Sequence, residues 1–272
     1  MITGMHQRRV FGWLLVFGWL LIPGIAASDG SAPAKTITHK EDRNRLWMLI
    51  HDGCAPSAAR GMYPPSPCSE VDTSHGYVVF KDRNGRYQYL LLPLAHIQGI
   101  ESPALLTPDA PNYFADAWTA RLYVEAALHA TQPRDVLSLA VNSAYGRSQD
   151  QLHIHLDCIR ADVHAVLERL LPTITDHWRL LGEPLPPYRH DYRAMWVAGE
   201  TLSINPFKAL ASALPAGDSM ASHSLAVVGA NSPNGKPGFI LLSGQVAPLH
   251  ESHGNAEELQ DLKCAMAIRP KP

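Results

Sequence analysis

The sequence predicts an α+β fold built around a mainly antiparallel sheet. Each half of the 272-residue chain contains a hairpin pattern, GYVVFKDRNGRYQYLLLP at 76–93 and HSLAVVGA with GFILLSGQV at 223–246. Each half also contains helix-periodic segments, and strands combined with helices in this way predict a layered α+β protein. Because the same arrangement occurs twice, we expect an internal duplication of a half-sheet unit.

The individual elements follow from hydrophobic periodicity and turn residues. Apolar residues at helical spacing predict a helix at 112–131, and aliphatic runs predict strands on both sides of the turn SAYGRS. Asn84-Gly85 predicts a hairpin turn, and Asp162 is the expected N-terminal cap of a helix. We expect helices at 39–54, 112–131, 162–174, 205–214 and 256–267, with further strands at 135–143, 151–159 and 194–200.

Composition argues against one class of partner. The chain has 23 Lys and Arg residues against 25 Asp and Glu residues, a formal net charge of −2. A nucleic-acid-binding protein needs a basic surface, and this sequence has no basic excess. The hydrophobic share of 46% supplies a core for a single domain at 41–272. The oligomeric state is left open.

The first 27 residues have the composition of an export segment. Arg8 and Arg9 precede an 18-residue apolar run at 10–27, and the polar linker at 28–40 follows. A positive start, an apolar middle and small residues before the linker are typical of a secretory signal. The run is also close to the roughly 20 residues that span a bilayer. The segment is therefore either a cleaved signal or a retained membrane anchor.

Four cysteines follow the export segment, and an oxidising compartment favours disulfides between them. Cys54 and Cys68 bracket a loop rich in proline, and Cys158 lies on the core face of its predicted strand. Cys264 lies in the predicted helix at 256–267, which we expect to cover that face. Four cysteines allow three connectivities. We predict the pairs Cys54–Cys68 and Cys158–Cys264.

The stretch QLHIHLDC at 151–158 carries the strongest chemical signal. Side chains alternate between the two faces of a strand, so Gln151, His153, His155 and Asp157 share one face. Three interpretations compete. The pair of histidines lies on a solvated polar face, or forms a metal site as His153-x-His155-x-Asp157, or performs nucleophilic catalysis at phosphorus. A neutral imidazole is a good nucleophile near pH 7.

The turn before these histidines favours catalysis at phosphorus. Asn142 ends the preceding strand, Gly146 permits a tight turn, and Ser148 and Gln149 follow it. Backbone amides and short hydroxyl groups in a turn suit phosphate oxygens.

The strand–turn–strand form NSAYGRSQDQLHIHL resembles the histidine-triad nucleotide hydrolases and transferases. Gln151 occupies the first triad position, which departs from the pattern, while His153 matches the nucleophile and His155 the third position. FKDRNGRYQYLLLPLAHI resembles the first hairpin of that family, whose aspartate contacts the ribose and is here Asp82. These blocks, with IQGIESPALL, PNYFADAWTARLYV and HIHLDCIRADV, resemble the bacterial CDP-diacylglycerol pyrophosphatase family over most of the chain.

The resemblance implies a histidine-triad-like catalytic domain at 41–272 that hydrolyses CDP-diacylglycerol to CMP and phosphatidate. His153 would attack the α-phosphorus and form a nucleotidyl-histidine intermediate. His155 and Gln151 would bind the phosphoryl oxygens, and Ser148 would donate to the leaving oxygen. Asn142 and Gln149 would orient the phosphate or the nucleophile, and Arg147 would neutralise the diphosphate. No cofactor and no metal is expected.

The same resemblance implies membrane association through the N-terminus. With arginines before the apolar run, the positive-inside rule orients the domain outward, on the periplasmic side of the inner membrane. The expected partners are the lipid substrate and the membrane surface. Two alternatives stay open: a metal-dependent hydrolase that uses His153, His155 and Asp157, and an exported protein that binds nucleotide or phospholipid without catalysis.

Overall fold

The computed structural model describes residues 43–270. Within this range no helix is long and apolar enough to cross a membrane. The predicted export segment at 1–27 and the linker at 28–40 lie outside the described residues.

A single nine-stranded sheet organises the described residues. Its order is β1-β2-β3-β5-β4-β8-β9-β7-β6, and every neighbouring pair is antiparallel. This confirms the predicted α+β class with an antiparallel sheet. The strands are β1 (Glu70–Asp72), β2 (Tyr77–Lys81), β3 (Tyr89–Pro93), β4 (Leu137–Val141), β5 (Ile154–Cys158), β6 (Arg179–Leu180), β7 (Tyr192–Ala198), β8 (His223–Asn231) and β9 (Pro237–Gln245).

The strand order is symmetric about the contact between β4 and β8. Moving outward, β5, β3 and β2 on one side correspond to β9, β7 and β6 on the other, in the same order along the chain. The sequence Ser-Leu-Ala-Val occurs at 138–141 in β4 and again at 224–227 in β8. The topology therefore has the repeat that an internal duplication requires.

Helices cover one face of the sheet and flank the other. The helices are α1 (Arg45–Met48), α2 (Ala55–Ala59), α3 (Tyr113–Ala120), α4 (Leu122–Leu128), α5 (Ala161–Leu170) and α6 (Pro206–Ala211), and a π-helical segment, Leu49–Cys54, joins α1 to α2. Helices α3, α4 and α6 contribute to the large core that includes Leu139, Ile154 and Leu156.

The opposite face of the sheet carries two separate apolar clusters. One joins the N-terminal helices to Val78, Leu90 and Leu92 on β2 and β3. The other joins α5 and the segment Ala256–Leu259 to the strands of the second half. Between the two clusters β5 runs with His155 on this face, since His155 pairs with Leu90 on one side and Ala140 on the other. The candidate site that includes His155 lies in the gap between these two clusters.

Both hairpins, the strands around the turn and the helices α3 to α6 lie where the sequence predicts them. The predicted helix at 112–131 is interrupted at Arg121, and the edge strands β1 and β6 were not predicted. Asp162 does not occupy the cap position. The cap is Arg160, and Asp162 lies in the first turn, where its Oδ1 accepts from the Val163 amide at 2.9 Å.

The predicted closing helix at 256–267 was wrong. Only Ala256–Leu259 is helical, as a 3₁₀ turn, and Gln260 is then extended and bridges to Ile159. The Asp261 carboxylate accepts from the amides of Lys263 and Ala265, which forms a tight turn instead of a helix. The tail is therefore attached to the end of β5 by strand-like contacts.

Both predicted disulfides are present, Cys54–Cys68 and Cys158–Cys264, and no described cysteine is free. The first closes the loop after α2, and the second fastens the tail to β5. The expected pairing is confirmed although Cys264 does not lie in a helix.

Candidate active site

A cleft of about 960 Å³ opens between the two apolar clusters. Seven of the eight side chains that the sequence predicts for the site line it, contributed by the first hairpin, the β4–β5 turn and the start of β5. They are Asp82, Asn142, Arg147, Ser148, Gln149, His153 and His155. The cleft thus brings together predicted residues that lie as far apart in the sequence as Asp82 and His155.

His153 lies just before β5 and is 7% exposed. Its Nδ1 lies 2.6 Å from the carbonyl oxygen of Gln151. A carbonyl oxygen can only accept, so Nδ1 carries the proton and Nε2 keeps its lone pair. Burial, and next the nearby His155 ring, lower the pKa of His153 to about 4. The imidazole is therefore neutral near pH 7, with one nitrogen ready to attack.

His155 lies on β5 beside His153, with the ring centroids 4.8 Å apart in an edge-to-face arrangement. Its Nδ1 is 3.1 Å from Oε1 of Glu257, but without hydrogen-bond geometry, and neither ring nitrogen has a hydrogen-bond partner among the described residues. Burial lowers the pKa of His155 to about 4. A buried imidazole with unsatisfied nitrogens is available to bind a ligand.

Glu257 is a site residue that the sequence did not reveal. Its Oε2 accepts from Asn142 Nδ2 at 2.8 Å, and its amide lies 3.3 Å from Asn142 Oδ1. Burial raises the pKa of Glu257, an effect that the bond from Asn142 opposes. The residue comes from the 3₁₀ turn of the tail, in a segment with the pattern of an ordinary amphipathic helix. No local signal links it to the histidines.

The backbone amides of residues 143–147, in the turn between β4 and β5, all have acceptors, some within the turn and some in neighbouring segments. Ser143 Oγ accepts from the amides of Tyr145 and Gly146, and the Ala144 amide donates to Ala221. Because these amides already donate to acceptors in the protein, they are not free to bind phosphate oxygens as the sequence led us to expect. A Cβ on Gly146 would lie 2.9 Å from the carbonyl oxygen of His253, which explains glycine at this close approach.

Ser148 and Gln149 follow the turn at the mouth of the cleft. Ser148 is exposed. Gln149 Oε1 accepts from the Leu46 amide at 3.2 Å, so this side chain connects the turn to α1. Ser148 is thus the accessible hydroxyl group of this wall, while Gln149 also has a structural contact.

Arg147 lines the cleft but is bound by carboxylates. Its two terminal nitrogens each lie 2.7 Å from an oxygen of Glu101, and Nε lies 3.3 Å from Asp150. Asp150 in turn binds Arg43 through two hydrogen bonds. Arg147 is 7% exposed, and its charge is compensated. This geometry supports a role in shaping the turn more than direct contact with a diphosphate.

Gln151 does not line the cleft. Its side chain is fully buried, and Nε2 donates to the carbonyls of Pro93 and Ala95 at 2.9 and 3.0 Å. The Gln151 amide nitrogen therefore points toward these carbonyls and not into the cleft, which disagrees with the expectation that Gln151 binds a phosphoryl oxygen. The residue instead fixes the chain after β3, and its own carbonyl orients His153.

Asp82 lies in the first hairpin at the other wall of the cleft. Its Oδ1 accepts from the Asn84 amide at 3.0 Å, as expected for a turn aspartate. Lys81 stabilises the same loop, because Nζ donates to the carbonyls of Asp82, Gly85 and Gln88. The Oδ2 of Asp82 makes no hydrogen bond to another of the residues that the structure describes, and the side chain lines the cleft.

Asp157 does not join His153 and His155 in a ligand set. Its carboxyl is buried, Oδ1 accepts from the Cys158 amide at 2.8 Å, and burial raises its pKa to about 8. A protonated carboxyl is a poor metal ligand. In residues 43–270 the cluster of ligand-type atoms within 4.8 Å consists of Asp157 with Cys158 and Cys264, which are joined in a disulfide. The geometry therefore disfavours a metal site of the pattern His153-x-His155-x-Asp157.

Comparison with known proteins identifies a family that matches this chain. A family model described as CDP-diacylglycerol pyrophosphatase matches residues 41–268. The chain is also 41% identical over 226 residues to the CDP-diacylglycerol pyrophosphatase of Yersinia pestis, a match that covers 80% of this chain and 83% of that protein.

Proposed function

Because the chain belongs to the CDP-diacylglycerol pyrophosphatase family and hydrolyses CDP-diacylglycerol, we infer that His153 is the nucleophile of a two-step reaction. The observation that carries this inference is the bond from Nδ1 to the Gln151 carbonyl, which leaves Nε2 unprotonated on a residue that lines the cleft. The lowered pKa keeps the ring neutral across the physiological range.

In the first step Nε2 attacks the α-phosphorus of the CMP moiety. An N–P bond forms, the P–O bond to the bridging oxygen breaks, and its electron pair leaves with phosphatidate. In the second step water attacks the same phosphorus, the N–P bond breaks, and CMP leaves as water releases a proton. Both steps develop charge on phosphoryl oxygens, so positioned donors stabilise the transition states.

Other residues of the cleft supply these donors and the orientation. The His155 ring binds a phosphoryl oxygen beside His153, which is supported by its two nitrogens having no hydrogen-bond partner among the described residues. Ser148, exposed at the mouth, is the donor to the bridging oxygen. Asn142 fixes Glu257 next to His155, so the Asn142–Glu257 pair positions the binding ring. Asp82 receives the ribose, and Gln149 and Arg147 hold the turn.

The domain acts at a membrane surface in this proposal. The substrate carries two acyl chains, and the predicted export segment at 1–27 would deliver the domain to the periplasmic side of the inner membrane. Two disulfides in the described domain agree with an oxidising compartment.

The experiment that tests the nucleophile is a trapping assay. Substrate labelled at the α-phosphorus is mixed with enzyme for a time shorter than one turnover, quenched under alkaline conditions that preserve phosphoramidates, and mapped by peptide mass. Label on His153 is expected, and none in His153→Ala. Label on a different residue, or turnover in His153→Ala close to that of the wild type, would contradict the proposal.

Trapping of label, together with CMP release measured with and without chelator, separates the two alternatives. A metal-dependent hydrolase would lose activity in chelator and regain it with zinc, without label on histidine. A binding protein would bind CDP-diacylglycerol and release no CMP. We expect CMP release that a chelator leaves unchanged.

A further inference from the structure

A second cavity adjoins the catalytic cleft and has no part in the reaction described above. Its volume is about 500 Å³, and its lining includes Tyr145, Gly146, Tyr188, His190, His250 and His253. Gly146 lines both spaces, and the tail contributes Glu257 to the cleft and Glu258 to the second cavity. The two spaces are therefore separated by one turn of chain.

The position of the second cavity follows from how the tail packs on the turn. Ser143 donates through Oγ to the His253 carbonyl at 2.6 Å, and its amide donates to the Gly254 carbonyl at 2.8 Å. These bonds hold the 253–254 backbone against Gly146. His253 is thus placed beside the turn that ends in Ser148, the donor proposed for the leaving oxygen.

The side chains of the second cavity combine donors with amphipathic groups. Tyr145 and Tyr188 are 66% and 67% exposed. Leu249, in the 3₁₀ turn Pro248–His250 at the rim, is 96% exposed. Tyrosine side chains with an apolar ring and a polar end are favoured where lipid meets water.

Two histidines at the rim are available to a ligand. The rings of His250 and His253 are exposed and make no hydrogen bond to another group in the described part of the chain. His190 differs, because Nδ1 lies 2.8 Å from Glu258 and Nε2 lies 3.2 Å from the His250 carbonyl. His190 is therefore held in place, whereas the imidazoles of His250 and His253 remain able to donate to a ligand.

We propose that the second cavity binds the phosphatidyl part of the substrate, with His253 and His250 on its phosphate and Tyr145 and Tyr188 against the glycerol esters. This rests on the proposed function, which places the nucleoside at Asp82 and the leaving oxygen at Ser148. In-line displacement moves the leaving group away from His153. Gly146, two residues before Ser148 in the chain, lines both the cleft and the second cavity, so the second cavity is the neighbouring space on the Ser148 side of the cleft. Leu249 then contacts the first methylene groups of the acyl chains.

The test measures inhibition by each product separately. Dihexanoyl phosphatidate, a water-soluble short-chain form, and CMP are titrated against turnover of CDP-diacylglycerol in mixed micelles. For Tyr188→Ala and His253→Ala we expect the inhibition constant of the phosphatidate to rise at least fivefold while that of CMP changes less than twofold. Asp82→Asn should show the opposite pattern. Tyr63→Ala, which removes a tyrosine that is 90% exposed outside both spaces, is the matched control.

Three outcomes would overturn the subsite. The phosphatidate inhibits wild type without any loss in the two variants, both products lose affinity together, or the phosphatidate fails to inhibit wild type at all. Failure of the proposed nucleophile would instead appear as absence of label on His153 with product inhibition intact. Circular dichroism and thermal unfolding of each variant confirm that the fold is retained.

Discussion

The two halves of the sheet share one topology, but the two histidines of the cleft, His153 and His155, lie in the first half. In the first half Ala140 of β4 pairs with His155 of β5. In the second half Ala226 of β8, at the same place in the repeated Ser-Leu-Ala-Val, pairs with Leu242 of β9. Two residues earlier, His153 corresponds in the same way to Ile240.

The two halves differ in what covers these equivalent strand positions. Ile240 and Leu242 are buried in the cluster beneath α5 and the tail, so the equivalent surface in the second half is filled. In the first half the corresponding surface lies between two clusters and stays open as the cleft. The same strand positions therefore serve packing where they are covered, and where they border the cleft they carry the histidines proposed for catalysis.

The largest effect should follow from making the first half resemble the second. The double substitution His153→Ile and His155→Leu should reduce kcat/KM for CDP-diacylglycerol by on the order of 10⁴-fold or more, because the proposed nucleophile is gone. Stability should not fall, since the change replaces two buried imidazoles by apolar groups, and the His155 ring has no hydrogen-bond partner among the described residues.

The pH dependence of that variant sharpens the test. Both histidines have pKa values of about 4 in the folded protein, against an ordinary histidine pKa of 6.5. Between these values the unfolded chain binds protons at these two histidines that the native state does not, so their contribution to wild-type stability is lost as the pH falls from about 6.5 to about 4. The variant should lack this loss in thermal unfolding at pH 7 and pH 5. A variant less stable than wild type at both values would show that the imidazoles support the fold.

The disulfides also distinguish the halves, since the second half, 179–245, contains no cysteine. Cys158 at the end of β5 is joined to Cys264 over a separation of 106 residues. Replacing both with alanine should cost about 4–5 kcal/mol of unfolding free energy in the chain-entropy account. Because the tail carries Glu257, kcat should fall as well. Equilibrium unfolding in urea measures the loss of stability, and the rate of CMP release measures the loss of kcat. A drop in stability without any change in kcat would show that the attachment of the tail is not needed for catalysis.

Leu242→Ala is the converse test in the second half. Leu242 is fully buried, and large-to-small substitutions at such positions cost about 2–5 kcal/mol. The kcat of the folded fraction should stay within about twofold of wild type, because Leu242 does not line the cleft. A loss of kcat larger than the loss of folded protein would mean that the halves are coupled.

The smallest effect concerns Asp157, next to the histidines. Its pKa is about 8 in the folded protein, against an ordinary aspartate pKa of 3.8, so between these values the native state holds a proton that the unfolded chain has lost. The contribution of Asp157 to stability is therefore lost as the pH rises from about 4 to about 8. Asp157→Asn cannot ionise and should lose less stability over that range, while activity persists. Loss of activity in Asp157→Asn that zinc restores would support the metal hypothesis instead.

Local sequence determined the hairpins, the turn before β5 and the placement of His153 and His155, because alternation and turn residues act over a few positions. It also predicted both disulfides, Cys54–Cys68 from the short loop that these residues bracket and Cys158–Cys264 from the core face of Cys158. Periodicity alone misjudged the tail at 256–267, since a helical pattern there is overridden by the bridge from Gln260 to Ile159 and by the turn at Asp261.

Tertiary structure decided the parts of the site that depend on contacts between distant residues. Glu257 reaches Asn142 only because the tail is docked on β5, and no residue near either one indicates that contact. Gln151 points to the carbonyls after β3, and Arg147 is bound by Glu101, although both lie in the segment that the sequence predicts for substrate binding. Hydrogen-bond partners that lie far apart along the chain leave no period or spacing in it, so only the folded arrangement shows which polar groups are free to bind a substrate.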